Sequence, residues 1–219
     1  MNVSRTEELA FWADAARDEL AAVHEAREAA LRSCRAAIQA SGRSIRAIHR
    51  GEEAAAADLV AEARTCLRGA QEVLAAFPAI AAAGFLHDAE KEFAEARLFA
   101  AFARGERLAG HLDVGVGPAA WLNGLAEASS ELRRYLLDSL RRGEIDSAEG
   151  LLGIMDDAYA VLVTIDFPDA VTGGLRRTTD AFRAVLERTR SDLTTTVLQA
   201  QLQAQLQAAV TDRLPPVLG

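Results

Sequence analysis

Apolar residues recur along this chain at intervals of three and four rather than two. From Arg5 to Arg50 the line runs through Leu9, Trp12, Ala16, Leu20, Val23, Leu31, Ile38, Ile45 and Ile48, the period of one face of an α-helix. Ser4 precedes it and Glu7 follows three places on, the pattern of a capping box. Ser41-Gly42 marks a weak point where such a long helix could kink. Gly51 ends the segment. A second helix is predicted over 52–77, limited by Pro78, and a third over 79–103 with an irregularity at Gly84. Four glycines between Arg104 and Gly117, followed by Pro118, predict a loop. Pro118 suits the first position of a fourth helix, which runs to Arg142, where Gly143 provides the stop. A fifth is predicted over 146–164. Pro168 and Gly173-Gly174 mark a connection, and a last helix runs from Leu175 to Arg213, closed by Pro215-Pro216. In its Gln-rich tail Leu198, Leu202, Leu206 and Val210 form a stripe at a spacing of four, which reads as an oligomer contact or as a frayed extension. Strand-like alternation, internal repeats and a linker are all missing from the pattern. The expectation is an all-α protein, a single bundle of about six or seven helices over residues 1–219, with 198–219 as an extension.

Composition agrees. The chain has 219 residues, half of them apolar, and its mean hydropathy is +0.03. That is enough for a real core, and it excludes both a disordered and a membrane protein. The most apolar stretch, Val73 to Leu86, is too short to span a bilayer and contains Pro78. The first residues carry charges where an export signal needs an apolar run. Cys34 and Cys66 form no CxxC pair and fit a reducing compartment, where they read as packing residues. Together these point to the cytoplasm.

Charge complicates the picture. The net charge is −8, which is not the usual footprint of a nucleic-acid binder. The acidity is uneven, however. Arg27, Arg32, Arg35, Arg43, Arg46 and Arg50 face only Glu28 between positions 27 and 50, with His49 as a further cation. Such a strip can bind phosphates, or it can pair with acids on neighbouring helices.

Two acidic groups could carry chemistry. Asp88, Glu92 and Glu95 lie at i, i+4 and i+7 on the third helix, and Glu127 and Glu131 at i, i+4 on the fourth. A separate stripe of Leu122, Leu125, Ser129, Leu132 and Leu136 is the expected core face. If the acidic lines faced each other, their carboxylates would repel unless a cation neutralised them. All-oxygen ligands suit Mg²⁺ or Mn²⁺ rather than zinc. Acidic pairs at helical spacing are in most proteins a solvated face, and spacing alone does not choose between the two readings. The four histidines show no HExxH or HxH spacing, no Glu-x-x-His of a di-iron bundle occurs, and neither a GxxxxGK[ST] loop nor a GxSxG elbow is present.

The order of four segments resembles the translin/TRAX family. They are SIRAIHR (Ser44 to Arg50), KEFAEARLF (Lys91 to Phe99), PAAWLNGLAEASSELRRYLLDSLRRGEID (Pro118 to Asp146) and DDAYAVLVTIDFP (Asp156 to Pro168). The resemblance covers roughly residues 5 to 200. It implies an all-α fold assembling into closed, octamer-like shells, as a homo-oligomer or with a translin-like partner, that hold RNA or single-stranded DNA. It also implies a Mg²⁺-dependent endoribonuclease if the TRAX-type acids are present, with Mn²⁺ as the other candidate metal. The family pattern is E-x-x-E on one helix and D-x-x-x-E on the next. Glu92 and Glu95 match the first pair and Glu131 the last position, while Glu127 stands where TRAX has Asp and Phe93 where the family has Tyr. By the same resemblance, Arg43, Arg46, His49 and Arg50 would contact nucleic acid. The alternatives are a non-catalytic translin-type binder of single-stranded RNA or DNA, and a structural helical bundle.

Overall fold

The computed structural model describes residues 4–213, and all regular structure among them is helical. The predicted closing pair Pro215-Pro216 lies outside the described residues. None of the described helices is long and apolar enough to cross a membrane.

Six long helices carry the fold: α1 (Arg5–His49), α2 (Glu53–Leu74), α4 (Phe85–Arg104), α6 (Pro118–Arg142), α7 (Ile145–Leu162) and α9 (Leu175–Arg213). Three single turns lie between them: α3 (Pro78–Ala81), α5 (His111–Val114) and α8 (Asp169–Thr172). The chain divides into two compact units, and the division falls inside α6, after Gly124.

In the first unit α1 and α2 form an antiparallel pair on which α4 also packs. The capping box is present: the Glu7 N–H donates to Ser4 Oγ at 3.3 Å, and the Ser4 N–H donates to Glu7 Oε2 at 2.8 Å. Small residues line the α1 seam. Ala30, Cys34, Ala37 and Ala40 are buried against Val60, Ala63, Leu67, Ala70 and Leu74 of α2. That a/d-like spacing with few large side chains lets the two helices approach closely. α1 runs unbroken through Gly42, so the Ser41-Gly42 weak point does not end it. The N-terminal part of α1 has no such seam, and Leu9, Phe11, Trp12 and Leu20 are exposed.

The predicted third helix is two elements. Gly84 takes φ +95° before α4, a conformation that only glycine adopts cheaply, so the irregularity expected there is a true break. The two predicted connections likewise each contain one helical turn, α5 and α8. Glu90 on α4 ties the α5–α6 connection down. Its carboxylate accepts from Gln71 Nε2 at 2.8 Å and from the Gly117 N–H at 3.1 Å, next to the start of α6.

The second unit is built from the rest of α6 with α7, α8 and α9. Leu136, Ala148 and Leu193 are buried together; of the predicted stripe Leu125, Ser129 and Leu132 are also buried, whereas Leu122 is half-buried. Arg133 on α6 donates to Thr189 Oγ1 at 3.0 Å and to Asp192 Oδ2 at 2.7 Å on α9. The Leu198–Val210 stripe of α9 is exposed.

Candidate functional site

α4 positions the first acidic pair. Glu92 and Glu95 are one turn apart, flanking Phe93 and Ala94, which are fully buried and anchor the helix. Glu92 is half-buried, with Lys91 Nζ 3.4 Å from its Oε1. Glu95 is only 8% exposed. A carboxylate that far from water is costly in its ionised form without compensating cations or donors.

α6 reaches α4 at Gly124. A β-carbon there would stand 2.7 Å from Ala94 Cβ and 2.9 Å from both the Glu95 nitrogen and the Lys91 oxygen. Only glycine permits this approach. Glu127 follows three residues later on the same unbroken helix, so it lies on nearly the same face. One carboxylate oxygen from each of Glu92, Glu95 and Glu127 lies within 4.8 Å of the others. Three like charges so placed, all oxygen donors and one of them buried, fit a small hard cation. Glu131, one turn further along α6 and half-buried, is not in this group. Asp88, the other acid read from the α4 pattern, is also outside it.

The basic residues of α1 are arranged by helical geometry. Arg32, Arg35, Arg43, Arg46 and Arg50 are all exposed. At 100° per residue they fall, with Gln39, within an arc of about 80° and extend over about 27 Å. Their line is a charged ridge rather than a set of core ion pairs. Two members of the predicted set differ in detail. Arg50 is already held by Glu52, with N–O distances of 2.8 and 2.6 Å, and this pairing raises the pKa of Arg50 and lowers that of Glu52. His49 is half-buried against Phe99, with ring centroids 4.9 Å apart. Arg43 and Arg46 are therefore the more available members. Arg27 pairs with its neighbour Glu28 at 2.6 Å.

One basic feature escaped the sequence pattern. Arg97 on α4 sits among Ala96, Leu98, Phe99 and Ala100, all buried, and its Nε is buried without a hydrogen-bond partner. The only signal in the sequence is a cation inside the apolar run EARLFAAF.

No family model matches the chain. An uncharacterised protein of Methanocaldococcus jannaschii is 28% identical over 134 residues, 61% of this chain and 59% of that protein. The chain thus matches less than two thirds of that relative's length. Among solved structures, AfC3PO in complex with duplex RNA is 34% identical, with a TM-score of 0.78, over 85% of this chain and 96% of that one. A second AfC3PO crystal structure is also 34% identical, with a TM-score of 0.74, over 85% and 97%. Apo-NeC3PO, at 16% identity, a TM-score of 0.74 and 90% and 99% coverage, shares the fold.

Proposed function

The chain belongs to the translin/TRAX family, and on that premise we propose that it binds RNA within a closed oligomer and cleaves it with a divalent metal, Mg²⁺ or Mn²⁺. The observation that carries this reading is the group of Glu92, Glu95 and Glu127 oxygens within 4.8 Å of one another. The related AfC3PO, 34% identical, has a solved structure in complex with duplex RNA, which supports nucleic acid as the ligand class.

In this reading Glu92, Glu95 and Glu127 would hold the ion, with Glu131 one turn further along α6 as the remaining acid of the family pattern. A bound Mg²⁺ supplies acidification of a water and stabilisation of charge on a phosphoryl group. The α1 ridge, through Arg43 and Arg46, holds the RNA backbone. Contacts to phosphate carry no base information, so sequence preference is weak and salt dependence steep. Single-stranded or short RNA is the proposed substrate, and single-stranded DNA a bound competitor. The test is incubation of labelled single-stranded RNA with the protein in Mg²⁺ or in EDTA. Cutting in Mg²⁺ alone supports the reading, and intact RNA in both overturns it.

A second reading has its own observation. Glu131 stands outside the acidic group, and Glu127 replaces the aspartate of the TRAX-type pattern. A chain with an incomplete metal site would bind RNA or single-stranded DNA without turnover, and its binding would be indifferent to EDTA.

A further inference from the structure

We propose that Arg97, with Arg104, forms a binding site for a phosphate-type oxyanion on the side of α4 turned away from Glu92 and Glu95. At 100° per residue Arg97 lies about 170° around α4 from the midpoint of the acidic pair. Arg104, two turns on, shares its direction. The two arginines rim a cavity of about 100 Å³ whose floor is made by Ala56, Ala57 and Val60 of α2 and Ala100 of α4. Alanines at three of the four floor positions are what leaves the space open.

Three observations point to an anion there. Arg97 Nε is buried and donates to no protein acceptor, although a buried donor left without a partner is costly. Burial, followed by the like charges of Arg64 and Arg104, pushes Arg97 below its ordinary pKa, against the opposing pull of Glu106. A cation penalised in this way gains when an anion arrives. Finally, nearby side chains do not fill the role. Arg64 lies over the Phe93 ring at 5.9 Å, and Glu106 is engaged by Arg104 at 2.8 Å on the exposed side. The planar guanidinium fork matches two oxygens of a phosphate, and the cavity has room for such a group.

The phosphate can be free or part of an RNA backbone, and two measurements separate these. The first is calorimetric titration of the full chain with millimolar inorganic phosphate at fixed ionic strength. Wild type is expected to bind saturably, and Arg97→Met at least tenfold more weakly. Glu92→Ala/Glu95→Ala should bind phosphate like wild type, so failure of the metal reading and failure of this one are distinguishable. If circular dichroism shows Arg97→Met to be unfolded, Arg104→Gln at the exposed rim takes its place, with the same expectation. The second measurement is affinity for labelled single-stranded RNA with the same variants. A parallel loss assigns the phosphate to RNA, and loss of phosphate binding alone assigns it to a free ion. Absence of saturable phosphate binding by wild type, or equal binding by Arg97→Met, would overturn the proposal.

Discussion

Gly124 and Glu95 approach so closely that a β-carbon on the glycine would lie 2.9 Å from the glutamate's backbone nitrogen. This contact sets the distance between α4 and α6, the two helices that carry the acidic residues. Because the obstructing atoms include main chain, they cannot step aside as a side-chain tip would. Gly124→Ala is expected to destabilise the protein by about 1–3 kcal/mol, the cost of overpacking, despite the roughly 1 kcal/mol that alanine normally gains inside a helix. Gly69 in the middle of α2 is the internal control, since a β-carbon there meets nothing within 4 Å. Gly69→Ala should raise the melting temperature. Thermal melts followed by circular dichroism check both signs.

The acidic group predicts a metal-dependent stability. A ligand that binds only the folded state at 100 times its Kd stabilises by about 2.7 kcal/mol. Mg²⁺ should therefore raise the melting temperature of wild type by several degrees, EDTA should reverse this, and Glu92→Ala/Glu95→Ala should not respond. A response of equal size in the double variant would place the ion elsewhere.

The α1 ridge predicts a salt effect. Every phosphate that a protein neutralises on a single strand adds about 0.7 to the slope of log K against log salt. Arg43→Ala/Arg46→Ala should weaken RNA binding for all sequences alike and reduce the slope by about 1.4. Arg50→Ala should have a smaller effect, because Glu52 already holds that side chain. Filter-binding titrations across a salt series separate these outcomes.

Cys34 is 2% exposed, and burial, with a smaller contribution from Glu90, pushes its thiol from 9.0 up to about 11. At pH 8 roughly one molecule in a thousand carries the thiolate, so a disulfide reagent should modify Cys66 first and Cys34 only on unfolding. The raised value also has a sign for stability: the contribution of Cys34 is fully present below about pH 9 and is lost as pH rises through about 11. Thiol counting with and without denaturant tests the first point, and melts above pH 9 the second.

Much of this was legible in the sequence because it is local. Ser4 and Glu7 announce a cap through their spacing alone. The stripe from Leu122 to Leu136 needs only the helical period, although its first residue is only half-buried. The α4 acids and Glu127 could be named as candidates, but nothing local says that their carboxylates come together, because that depends on Gly124 meeting α4 at Ala94 and Glu95. The break at Gly84 was visible only as a suspicion, since a glycine inside a helical pattern is compatible with either outcome until its φ is known. Arg97 was missed for a related reason. Its consequence lies in which residues surround it from α2, and an arginine in an Ala-, Leu- and Phe-rich segment otherwise reads as a long side chain reaching for water.

As proposed, the carboxylates of Glu92, Glu95 and Glu127 form a metal-dependent RNA-cleaving centre. The most direct measurement is single-turnover cleavage of end-labelled single-stranded RNA by wild type and by Glu92→Ala/Glu95→Ala, with binding to the same RNA and circular dichroism recorded in parallel. Wild type is expected to cut in Mg²⁺ but not in EDTA. The double variant is expected to stay folded, to bind RNA still and to cut at least a hundredfold more slowly. Equal cutting by the folded double variant, or no cutting by wild type that binds the RNA, would contradict this proposal.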